Sequence, residues 1–182
     1  MADFIAEFTL MEGQGAEEIP EWSIHMDGSS NKQAGGAGIV LHTPEGDKIK
    51  CMIHLDFPTT NNEAEYEALV AGLDLAKAAR AKNMVVYCDS QVVTSQINGD
   101  YECKKERMNK YLEVVKGRIG SIQIRFVHIP REENECADRL AKAASAEQML
   151  IPNTVPLSKF YYYLKIISLP QPKNTDLNLN NL

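Results

Sequence analysis

Apolar and polar residues alternate through WSIHMD, which sets Trp22, Ile24 and Met26 on one face of an extended segment. A turn-rich loop, GSSNKQAGG, follows, and AGIVLH reads as a second strand. TPEGD is a tight turn, and KIKCMIHL resumes the alternation from Ile49. So short a turn makes strands two and three an antiparallel hairpin. The period then changes. Through FPTTNNEAEYEALVAGLDLAKAARAK, residues Ala64, Ala68, Leu69, Ala71, Leu75 and Ala76 recur at helical spacing behind a Pro and an Asn cap. MVVYC is short and apolar on both faces, as a central strand is. SQVVTSQING predicts a short helix closed by Gly99, residues 104–119 another helix, SIQIRFVHI a fifth strand and REENECADRLAKAASA a last helix. The order β-β-β-α-β-α-α-β-α opens with a hairpin and continues with crossovers. It predicts an α/β fold, a mixed sheet flanked by helices.

The pattern is dense over residues 21–147 and fails on either side. Residues 1–20 hold five acids and no base and read as a linker. Residues 148–182, with PNTVP, PQPK and NTDLNLNNL, read as a poorly ordered tail, in which FYYYLKIISL has no evident partner. A hydrophobic fraction of 44% and a charged fraction of 24% place the chain among soluble globular proteins. No apolar run approaches the roughly 20 residues that span a bilayer. The start, MADFIAEFTLM, carries Asp3 and Glu7 and no basic region, so it does not read as a secretory signal. Cys51, Cys88, Cys103 and Cys136 form no CxxC pair, which argues against zinc. Cys51 and Cys88 sit in strand-like runs and read as reduced thiols, so the expected compartment is intracellular, cytoplasm or nucleus.

A net charge of −6 argues against a nucleic-acid partner until its distribution is considered. Residues 21–147 hold 16 Lys and Arg against 19 Asp and Glu, a net of −3. If four of those acids bind cations, the surface of that segment is near neutral. The stretch KKERMNKYLEVVKGR (104–118) has six bases and two acids; on charge by itself it reads as a solvated helix face.

Four carboxylates stand out. Asp27 ends the first strand and Asp89 the fourth, and the long helix between strands three and four can bring the fourth beside the first, parallel to it. Both would then lie at the carboxyl ends of neighbouring strands, where open α/β sheets place ligands. Taken singly, Asp27-Gly-Ser is an ordinary turn and Asp89-Ser an ordinary helix start. Glu65 lies one turn into the long helix, with Ala68 and Leu69 of the buried stripe at i+3 and i+4, so it points toward the sheet. A buried ionised glutamate is costly unless it is paired or holds a metal; Glu63 and Glu67 are expected to face solvent. Asp138 sits at the margin of the last helix's apolar face, where a pair with Lys142 is the plainer reading. Carboxylates converging without a His or Cys cluster form an all-oxygen site suited to Mg²⁺ or Mn²⁺. Two such ions can activate water and stabilise a leaving oxygen, the chemistry of phosphodiester hydrolysis.

DGSS (27–30), TTNNEAEYEAL (59–69), DSQ (89–91) and HIPREENECADRLAKAA (128–144) together resemble type 1 ribonuclease H, over roughly residues 22–146. The TTNN–Glu arrangement with DSQ is specific; DGS is weak. The resemblance implies a five-stranded sheet, its first three strands antiparallel and its fourth and fifth parallel to the first. It implies two Mg²⁺ ions (Mn²⁺ as a substitute) held by Asp27, Glu65, Asp89 and Asp138. It makes His128 the mobile histidine that assists proton transfer or product release. It implies cleavage of the RNA strand of RNA–DNA hybrids, leaving 5′-phosphate and 3′-hydroxyl ends. Thr60, Asn61, Asn62, Gln91 and Asn134 match hybrid-contacting positions; helix caps and turn bonds are their plainer roles. Lys104, Lys105 and Lys110 are placed near a phosphate backbone.

The details look most like the ribonuclease H segment of plant gypsy-class LTR-retrotransposon polyproteins. ADFIAEF resembles the tether that joins a reverse transcriptase domain to it, which makes such a domain a candidate partner of an otherwise monomeric protein. Compared with bacterial-type members, the loop after Asp27 is shorter and the long basic protrusion is missing, and no N-terminal hybrid-binding module is expected. The alternative expectation is therefore a fragment or domesticated remnant that binds hybrid or RNA without cutting it.

Overall fold

The structure, a computed structural model, describes residues 17–146 and 160–162. Most of the expected 1–20 linker and of the 148–182 tail lies outside the described residues. Strands β1 (Glu21–Ser30), β2 (Gly35–His42) and β3 (Lys48–Leu55) form an antiparallel meander. Helix α1 (Asn61–Ala78) then returns the chain so that β4 (Asn83–Cys88) pairs parallel with β1. After α2 (Gln91–Asn98) and α3 (Glu106–Ile119), β5 (Gln123–His128) adds in parallel beside β4. A 3-10 turn at Arg131–Asn134 leads into α4 (Glu135–Ser145). The five expected strands are present with the expected directions. A sixth, β6 (Phe160–Tyr162), pairs parallel with β3, giving the order β5-β4-β1-β2-β3-β6. That partner is distant in the chain, so local alternation could not reveal it.

The sheet is covered on both faces. Ile24 and Met26 of β1 and Ile39 and Leu41 of β2 pack with Leu69, Leu73 and Ala76 of α1 into the main core. On the opposite face α4 crosses β2, where a Cβ on Gly36 would lie 2.2 Å from the Ala141 carbonyl oxygen and one on Gly38 2.1 Å from that of Ala137. Two glycines in register with the helix let backbone meet backbone. This explains why β2 is buried on both sides.

Three details of α1 differ from the expected pattern. Its cap is Thr60, which with Glu63 forms a capping box: Thr60 Oγ1 accepts from Glu63 N at 3.3 Å, and Glu63 Oε2 accepts from Thr60 N at 2.8 Å. Glu63 is buried rather than solvent-facing, because Arg107 of α3 pairs with it at 2.7 Å. Glu67 is buried as well, since Tyr111 of α3 donates to it at 2.6 Å. Helix α3 thus packs on the face of α1 expected to meet solvent.

Candidate active site

Register places the acids. Met26 of β1 pairs with Cys88 of β4, and Cys88 with His128 of β5. Asp27 and Asp89 each follow that row by one residue, so they lie side by side at the carboxyl ends of two parallel strands. The backbone at Gly28 runs directly against the start of α1: a Cβ there would lie 2.2 Å from Glu65 N. Only glycine allows that approach, and it sets Glu65 over Asp27. Their carboxyls hydrogen-bond to each other, and Gly28 N donates to Asp27 Oδ1 at 2.9 Å. Glu65, Cys88 and Asp89 offer ligand atoms all within 4.8 Å of one another. Cys88 Sγ lies 3.7 Å from Glu65 Oε2.

Asp138, on α4, is linked to this group through Arg131. Arg131 Nη2 donates to Asp138 Oδ1 at 3.2 Å while its Nε lies 4.0 Å from Asp89 Oδ2. Lys142 Nζ, one turn along, is 2.8 Å from Asp138 Oδ2. His128 is exposed, and its Nε2 donates to the Asp89 carbonyl oxygen at 3.2 Å.

The electrostatics follow from burial. Asp27 is 4% exposed and Glu65 6%. Burial pushes the Asp27 carboxyl up to about 6, against a hydrogen bond from Glu65, with the charges of Asp89 and Asp138 adding to the rise. Burial, then Asp27, pushes Glu65 well above the usual carboxylate range. Burial acts on Asp138 in the same direction, but bonds from Lys142 and Arg131 outweigh it and hold that acid below its ordinary value. Four acids whose buried pair resists ionisation fit hard divalent cations, which supply the opposing charge and accept oxygen ligands.

The remaining expected residues divide. Asn61 and Asn62 open α1 and Gln91 opens α2, with Asn61 and Gln91 exposed; Asn61 Oδ1 accepts from Ser30 Oγ at 2.6 Å. Lys104 and Lys105 are exposed just before α3, and Lys110 pairs with Glu106. Asn134 is 1% exposed. Its Nδ2 donates to Met26 O at 2.9 Å and to Asp89 Oδ1 at 3.4 Å. Sequence reasoning missed Arg131, whose neighbours in the chain mark it as nothing more than a surface base.

Residues 25–144 match the family model described as reverse transcriptase-like. The chain belongs to that family. Among its relatives, the ribonuclease HI of Haemophilus ducreyi is 33% identical over 137 residues, 66% of this chain and 87% of that protein. The crystal structure of RNase H1 from Halobacterium salinarum superposes with a TM-score of 0.65 at 26% identity, covering 68% of this chain and 96% of that one. LC11-RNase H1, solved in complex with an RNA/DNA hybrid, gives a TM-score of 0.61 at 28% identity over 66% of this chain and 94% of its own. The chain spans 34% of the longer mycobacterial relatives it matches. The fold is that of ribonuclease H.

Proposed function

We propose that this protein hydrolyses the RNA strand of RNA–DNA hybrids, leaving 5′-phosphate and 3′-hydroxyl ends. The observation that carries this reading is the gathering of Asp27, Glu65, Asp89 and Asp138 at the ends of β1 and β4. Relatives named ribonuclease HI, and one solved with a hybrid, support it. Those four acids would hold two Mg²⁺ ions, or Mn²⁺ in their place, which when bound supply water activation and charge neutralisation at the leaving oxygen.

The chain's own groups do the rest. Gly28 brings Glu65 against Asp27, and Asn134 fixes Asp89 from behind. His128 holds a proton at Nε2 beside Asp89 and is exposed, so it can pass that proton to a leaving oxygen or help free the product. Asn61, Asn62 and Gln91, at the starts of two helices beside the acids, would contact the hybrid's sugar and minor-groove edges, where the 2′-hydroxyl marks the RNA strand. The Thr60 hydroxyl accepts within its cap and keeps its proton for a phosphate. Lys104 and Lys105 would meet the backbone of one strand. The motif spellings favour descent from a gypsy-class retroelement, with a reverse transcriptase domain as partner.

The test is cleavage of a hybrid labelled on its RNA, with Mg²⁺, with Mn²⁺ and with EDTA, beside Asp89→Asn. Metal-dependent fragments absent from the folded variant are expected. Intact RNA at high protein concentration and low salt, with the hybrid bound, would sink the proposal.

A further inference from the structure

Arg131 opens the 3-10 turn between β5 and α4. Its guanidinium reaches two of the four acids at once. Nη2 donates to Asp138 Oδ1 at 3.2 Å, and Nε lies 4.0 Å from Asp89 Oδ2. The other oxygen of each carboxylate has a different partner. Asn134 Nδ2 donates to Asp89 Oδ1 at 3.4 Å, and Lys142 Nζ to Asp138 Oδ2 at 2.8 Å. Arg131 therefore takes the one oxygen of each acid that these neighbours leave over. Among the described residues, no other side chain pairs with both acids.

The three side chains differ in their access to water. Those of Asp89 and Asp138 are 11% and 14% exposed, whereas that of Arg131 is 69% exposed. The acids are held from behind, and the arginine lies across them from the solvent side. It can swing out into water without disturbing the core. The charges of Asp138, Asp89 and Asp27 all favour its cationic form. Its pairs are those of an exposed side chain, weak enough to exchange. Two carboxylates held near each other with no cation between them would repel.

A divalent ion needs the same oxygens. Mg²⁺ draws its oxygen ligands to about 2.0–2.1 Å and tolerates little departure from ideal geometry. A guanidinium donating to those oxygens would compete for their lone pairs and repel the ion. Metal and arginine are thus alternatives at Asp89 and Asp138.

We propose that Arg131 is the counter-ion of the empty site, joining Asp89 to Asp138 until a divalent ion displaces it. Loading the site is then an exchange of one cation for another rather than the filling of an open cavity. The exchange keeps the two acids together before the metal arrives. It also weakens metal binding by the strength of the arginine's hold. The inference rests on the reading of the four acids as metal ligands.

The test titrates Mg²⁺ into the full chain without nucleic acid, at about 0.15 M salt so that distant charges are screened. Calorimetry compares the unaltered protein with Arg131→Gln and Arg139→Gln. Arg139 pairs with Glu135 and is 77% exposed, so its loss removes the same charge without touching the acids. Arg131→Gln should bind Mg²⁺ at least about threefold more tightly than the unaltered protein, and Arg139→Gln should match the unaltered protein. By NMR, the Arg131 Nε–H resonance, identified by its loss in Arg131→Gln, should shift with the same midpoint as the calorimetric titration. Affinity unchanged or lowered in Arg131→Gln, an equal gain in Arg139→Gln, or an Arg131 resonance unmoved by bound Mg²⁺ would each overturn the inference and leave the metal reading standing. No saturable Mg²⁺ binding by any of the three proteins would instead sink the metal reading, and the inference with it.

Discussion

The carboxyls of Asp27 and Glu65 hydrogen-bond to each other where β1 meets α1, a contact that requires one of them to keep its proton. Asp27 rises from 3.8 to about 6 in the fold. Burial, more than the bond to Glu65, causes that rise, so the folded state binds a proton on Asp27 more tightly than the unfolded state. The stability it contributes is complete below about pH 3.8 and lost as pH rises through about 6. Urea midpoints in EDTA should show the unaltered protein losing stability relative to Asp27→Asn across that window, and Mg²⁺ should narrow the difference at neutral pH. Parallel curves for the two proteins would refute the raised Asp27 carboxyl.

Glu65→Gln removes a buried acid without changing the side chain's shape. Without metal at pH 8 it should stabilise the fold by on the order of 1 kcal/mol, since a buried charge is exchanged for an amide. The same change should abolish hybrid cleavage. Denaturation and cleavage measured on one preparation check both halves; a destabilised variant would mean that Glu65 is structural.

Gly38→Ala should be severe for its size. Its Cβ would sit 2.1 Å from the Ala137 carbonyl oxygen and 2.6 Å from Ala141 N, so α4 must lift and carry Asp138 with it. A loss of about 3 kcal/mol and a sharp fall in activity are expected. Gly117→Ala is the control. A Cβ at that position of α3 meets nothing within 4 Å, and the change should add about 0.5–1 kcal/mol.

Thr60→Ala breaks the capping box, and about 1 kcal/mol should go with it. If the hydroxyl also contacts substrate, KM for hybrid should rise while kcat holds. Thr60→Ser should restore both, which a purely structural role for the methyl group would not allow.

The sheet and the positions of the acids could be read from the chain because each rests on local pattern. Alternation in WSIHMD fixes which face Asp27 leaves, and the buried stripe of α1 fixes the direction of Glu65. What could not be read depends on residues far apart in sequence. Glu63 and Glu67 look like solvent acids until α3 brings Arg107 and Tyr111 to them. Asn134 looks like a surface turn residue until its amide reaches Met26 and Asp89. The strand at Phe160–Tyr162 has no partner until β3 presents its free edge.

The docking of α4 on the glycines of β2 has a consequence for biosynthesis. Three of the four acids belong to segments complete by Asp89, whereas Asp138 arrives on the last helix of the domain. A ribosome must release most of residues 21–147 before the fourth acid exists. On the proposed function, a nascent chain would therefore lack one of its four acids until α4 has docked.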